Sequence, residues 1–173
     1  MSAIPERVLN RIAALGLLLG AAFGLAGTFV RSPHLQASLW AIDSVGLVVA
    51  TALLSLKCFR ARADVVAGGF LVFAIGEGVL LSGTAAGPSA SVPAFAAGTA
   101  LWAAALALIS APRQLPTWLR ILGGAAACLF AVTAARIYMG EALLPTSSPL
   151  PFFAYPVLVA TLLGWAWTLV REE

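Results

Sequence analysis

Residues 65–83 read VVAGGFLVFAIGEGVLLSG, and Glu77 is the only ionisable side chain among them. A helix gains about 1.5 Å per residue, so this stretch is about as long as the hydrocarbon core of a bilayer is thick. Five further stretches have the same character: 9–30, 38–57, 93–111, 118–139 and 152–170. What remains is short connectors, several marked by proline, which ends helices cleanly (Pro33, Pro88, Pro112, Pro116, Pro145, Pro149 and Pro151). Short connectors hold neighbouring helices antiparallel. The expected fold is all-α: a polytopic membrane protein, a compact bundle of six transmembrane helices with short loops, with residues 1–173 forming a single domain.

Composition points the same way. Apolar residues make up 61% of the 173, charged residues 10%, and mean hydropathy is +0.99. Soluble domains carry about 25% charged residues. The difference is the surface that lipid would cover.

The basic residues report orientation. Arg7 and Arg11 precede or open the first span. Lys57, Arg60 and Arg62 fall in the second connector, Arg113 and Arg120 in the fourth, and Arg171 at the C-terminus. These all lie on one side of a six-span bundle, and only Arg31 and Arg136 lie on the other. The positive-inside rule then makes both termini cytoplasmic, in a multi-pass cell-membrane protein of the bacterial inner-membrane kind. Because the basic residues form separate caps rather than one stripe, no nucleic-acid partner is expected. The first span reads as a retained helix, since its apolar run is long for a signal peptide.

Gly16, Gly20 and Gly24 recur at four-residue spacing, with Gly27 close by. That spacing makes one smooth groove along a helix. Helices in lipid associate through such close packing. The groove is expected either to pack inside the bundle or to meet a second copy or a membrane-protein partner. Gly68, Gly69, Gly76 and Gly78 form a second small-residue set. Trp40, Trp118, Tyr138, Trp165 and Trp167 are expected to anchor in the headgroup belt, and Trp102 to pack in the core. Cys58 and Cys128 differ too much in depth for a disulfide and read as small buried residues. The longest outer connector, GEALLPTSSPLP at 140–151, has the polar and proline content of an ordered lid.

Three charges fall where lipid would penalise them: Asp43, Glu77 and Arg136. An ionisable group at the centre of a spanning helix costs about 2.5–3.5 kcal/mol on the insertion scale. From the span boundaries above, Asp43 lies about 7–8 Å, Glu77 about 9 Å and Arg136 about 6 Å from the outer end of its helix. Arg136 is therefore expected to pair with Asp43 or Glu77 in one outer slab, where an Arg–carboxylate pair best offsets burial. The glycines flanking Glu77 leave room for a neighbour or ligand. Tyr155, followed by Pro156, opens the sixth span at similar depth. These four residues are the candidate binding set.

The absences narrow the chemistry. One histidine, His34, excludes a bis-histidine haem. The sequence contains no Cys-x-x-Cys pair, Gly-x-Ser-x-Gly elbow or phosphate-binding Gly-Lys-Ser/Thr loop, so no cofactor, metal site or catalytic residue is expected. Two functional readings of different class fit. One is a transporter, channel or sensor for a small solute, cation or proton, with its polar site open to the extracytoplasmic side. The other is a non-catalytic accessory subunit of a larger membrane complex.

Overall fold

The computed structural model describes residues 5–85 and 88–171. Six α-helices follow one another: α1 Glu6–Phe29, α2 Pro33–Arg60, α3 Asp64–Ala85, α4 Pro88–Ser110, α5 Thr117–Tyr138 and α6 Ala154–Arg171. All six are long and apolar enough to cross a membrane.

Several boundaries differ from the sequence reading, and proline accounts for most of the differences. Pro33 begins α2 five residues earlier than expected. Its fixed φ suits the first helical turn, and the amide it lacks has no helical partner there. With its 28 residues, α2 is about 42 Å long. Pro88 begins α4 in the same way, and the helix continues through Pro93. At α6, Pro156 falls in the first turn, where its missing amide is tolerated.

The helices form a closed ring. Each packs on its neighbours in the chain, and α1 closes the ring against α6. Glycines set the closest approaches. A Cβ at Gly16 would lie 2.5 Å from the Gly46 carbonyl oxygen and 2.9 Å from Ala50 Cβ; one at Gly27 would lie 2.5 Å from Trp40 Nε1. The groove read in α1 is thus occupied by α2 of the same chain. Gly69 and Gly76 receive α4 in the same manner, whereas Gly68 and Gly78 meet nothing within 4 Å.

Aromatic side chains fill the middle of the ring. Trp165 from α6 meets Phe70 of α3 edge-on, at 5.0 Å between ring centroids. Phe73 stacks on Trp102 of α4 at 5.4 Å, and Trp102 meets Phe130 of α5 at 5.1 Å. Trp165 is therefore core rather than a belt anchor. Its neighbour but one, Trp167, is exposed with Arg171 over its ring. Trp40 is half-buried against α1. Cys128 is exposed on the outer face of α5, contrary to the expected burial, and no disulfide joins it to Cys58. The outward faces carry Leu15, Leu18, Val45, Leu71, Ile75, Ile121 and Val132, all exposed.

Most buried hydroxyls are satisfied within their own helices. Thr51, Thr99, Thr133 and Thr161 each donate to the carbonyl four residues earlier. They leave no polar group directed at a neighbour, so the unsatisfied groups are few and gather elsewhere.

Candidate functional site

Among the described residues, three of the four unpartnered buried polar atoms belong to Asp43, Glu77 and Trp102, on α2, α3 and α4; the fourth is the Trp165 indole nitrogen on α6. Asp43 and Ser44 lie about 15 Å along α2 from Pro33, and Glu77 lies about 12 Å from the end of α3 at Ala85. Both carboxyls are deeper than the sequence reading placed them, because both helices extend further at that end. The tight turn between α2 and α3 sets their register, bringing Ser44 opposite Glu77 about four helical turns away. Ser44 Oγ donates to Glu77 Oε1 at 2.6 Å.

The rest of the cluster is under-satisfied. Glu77 is 2% exposed and Asp43 9%. Among the described residues, neither Oε2 of Glu77 nor Oδ1 of Asp43 has a hydrogen-bond partner. The Trp102 indole N–H is a near neighbour of the Glu77 carboxyl, yet no aligned hydrogen bond forms and Nε1 is also unpartnered. Asp43, Glu77 and Tyr155 are near neighbours. Buried polar groups are normally paired, so three orphaned atoms in one cluster require a reason.

A cavity adjoins these residues. It has a volume of about 320 Å³ and is lined by Asp43, Ser44, Glu77, Trp102 and Tyr155, among others. That is within the usual range for small-molecule pockets. Gly20 and Gly24 form its α1 wall. A Cβ at Gly24 would stand 2.8 Å from Asp43 Oδ2, so the groove makes room for the carboxyl as well as for the helix. Leu144, Pro145 and Thr146, from the connector between α5 and α6, complete the lining. Their connector is held by Leu144 N–H donating to Ser147 Oγ and Phe152 N–H donating to the Ser147 carbonyl. Trp102, backed by Phe73, lies toward the floor. The cavity thus lies toward the end of the ring opposite both termini. Among the described residues, no lysine, arginine or histidine lines it.

Arg136 is elsewhere, which corrects the expected pairing with Asp43 or Glu77. Its guanidinium makes two hydrogen bonds to Glu141, at 2.9 and 2.6 Å, on the surface. The ring explains why. α5 packs on α4 and α6, not on α2 or α3, so Arg136 faces its own connector rather than the acids. Glu141 supplies a carboxylate without burial, and Arg136 in turn holds the Glu141 carboxyl below its ordinary range. Of the candidate set, the structure brings together Asp43, Glu77 and Tyr155 and leaves Arg136 outside. Gly20 and Gly24 line the same cavity, while Gly16 lies beyond it.

Ser44 and the cavity-facing role of Trp102 were missed by the sequence reading. The signal for Ser44 was its distance from the α2–α3 turn, matched to that of Glu77. Trp102 offered only a deep position in an apolar span. Among the described residues, no group of three or more His, Cys, Asp or Glu could hold a metal ion. Searches of protein-family models, curated proteins and solved structures gave no match. The chemistry available is that of two carboxyls with free acceptor oxygens, no basic partner among the described residues of their cavity, and an aromatic wall.

Proposed function

We propose that this chain is a multi-pass membrane protein that binds a cation or proton at Asp43 and Glu77, as part of transporting or sensing it. The supporting observation is the pairing of two orphaned carboxyl oxygens with a cavity that has no basic residue among its described lining. A buried carboxylate is stabilised by a partner charge or by protonation, and here the ligand supplies either. The exposed apolar faces of all six helices are the surface that lipid would cover. The basic caps support cytoplasmic termini and a cavity mouth on the extracytoplasmic side of a cell membrane. The accessory-subunit reading loses support because the α1 glycine groove is taken up by α2.

Charge displacement on a solid-supported membrane tests the reading. A jump in monovalent cation or proton concentration on the extracytoplasmic side should move charge in wild-type proteoliposomes. The double variant Asp43→Asn, Glu77→Gln should show none. Equal signals from the two proteins, or none from wild type, would refute the assignment.

A further inference from the structure

The shape and lining of the cavity narrow the ligand, on the premise that the site takes a cation. We infer that the site recognises a small protonated amine that carries at least one N–H and an apolar substituent. Three observations support this.

The first is the donor set. Calcium takes six to eight oxygens and magnesium six in near-octahedral geometry. The cavity offers two carboxyls, and the other side-chain oxygens of its lining are the neutral ones of Ser44, Tyr155, Gln36, Ser91 and Thr146. Among the described residues no group of three or more His, Cys, Asp or Glu could hold a metal ion, so a bare divalent ion would find only two anionic ligands, Asp43 and Glu77.

The second is the position of the free acceptors. One belongs to each acid, Oδ1 of Asp43 and Oε2 of Glu77. A guanidinium is best matched by the two oxygens of a single carboxylate. An ammonium is a compact centre with separately directed N–H donors, so it can give one hydrogen bond to each acid. A quaternary ammonium has no N–H and would leave both oxygens orphaned.

The third is the wall. Trp40, Trp102 and Tyr155 line the cavity, and tryptophan faces are the strongest side-chain partners for a cation through the ring quadrupole. Leu25, Leu80 and Phe95 are also part of the lining and suit an apolar substituent. A volume of about 320 Å³ is far more than a bare ion fills. An aminolipid headgroup would bring a phosphate to a site that already holds two acids, so a soluble amine is the favoured source.

Calorimetry on the full chain in nanodiscs tests this, with benzylamine as the probe. Benzyl alcohol, benzyltrimethylammonium, sodium and potassium serve as comparisons. Benzylamine should bind at least tenfold more tightly than any of the four, and Glu77→Gln should weaken it at least tenfold. The comparisons among ligands need only wild-type protein, so they hold even if the variant folds poorly. Equal binding of benzyl alcohol would overturn recognition by charge. Equal binding of benzyltrimethylammonium would overturn recognition through N–H donors. Binding of sodium or potassium without benzylamine would overturn the amine assignment and leave the cation site standing. With no ligand bound and no charge displacement by a proton or cation jump, the cation site falls as well.

Discussion

Replacing Gly16 with alanine should destabilise the protein, although alanine is the better helix former. In an open helical position the exchange is worth about 0.8–1.0 kcal/mol in favour of alanine. At Gly16 the added Cβ would sit 2.5 Å from the Gly46 carbonyl oxygen and 2.9 Å from Ala50 Cβ. Gly46 has no side chain to rotate aside, so α1 and α2 must move apart. Overpacking of this kind costs about 1–3 kcal/mol, which exceeds the propensity gain over most of that range. At about 2–4 °C per kcal/mol for a chain of this size, the melting temperature should fall by several degrees. Gly68 is the internal control. It lies in a helix, and a Cβ added there would meet nothing within 4 Å, so Gly68→Ala should leave stability unchanged or raise it by up to about 1 kcal/mol. Thermal unfolding in mild detergent reads both variants. If Gly16→Ala is as stable as wild type, or the two variants shift in the same direction, the close α1–α2 contact is wrong.

Ser44→Ala removes the hydrogen bond that Ser44 gives to the buried Glu77 carboxyl and should cost about 1–3 kcal/mol, seen as a lower melting temperature, with Ser44→Thr retaining part of it. Arg136→Ala should cost far less than Ser44→Ala, because its pair with Glu141 is exposed; any difference from wild type should vanish in high salt. The sign of its pH dependence follows from Glu141, whose folded-state pKa is depressed. The contribution of the pair is present above the ordinary carboxylate range and is lost as pH falls through the lowered value, so wild type and Arg136→Ala should converge in acid. For orientation, an impermeant maleimide applied to intact cells should label Thr146→Cys and spare Arg113→Cys, each on a background with Cys58 and Cys128 replaced; the reverse pattern would invert the topology.

The fold was legible because burial in lipid demands long apolar helices, and stretches such as 65–83 announce themselves by length alone. The ends were less legible, since Pro33 and Pro88 could equally stop one helix or start the next. Trp165 and Trp167 look alike in sequence, yet their side chains point to opposite sides of α6, one into the aromatic core and the other outward. The site was half legible. Asp43 and Glu77 stood out because charge in an apolar span is costly. Arg136 stood out for the same reason and misled, because depth says nothing about position around a ring. Only the order of packing, with α5 away from α2 and α3, separates it from the acids. Ser44 was hidden because a serine in a spanning helix usually bonds back to its own backbone, as the buried threonines here do.

The central claim is that Asp43 and Glu77 are the groups a cation or proton engages. Infrared difference spectroscopy reads their carboxyl bands directly in protein held in nanodiscs. Wild type should show a change in those bands on a pH step or on adding benzylamine, and Asp43→Asn, Glu77→Gln should lose it while remaining folded. The same difference spectrum from wild type and the double variant would contradict the account.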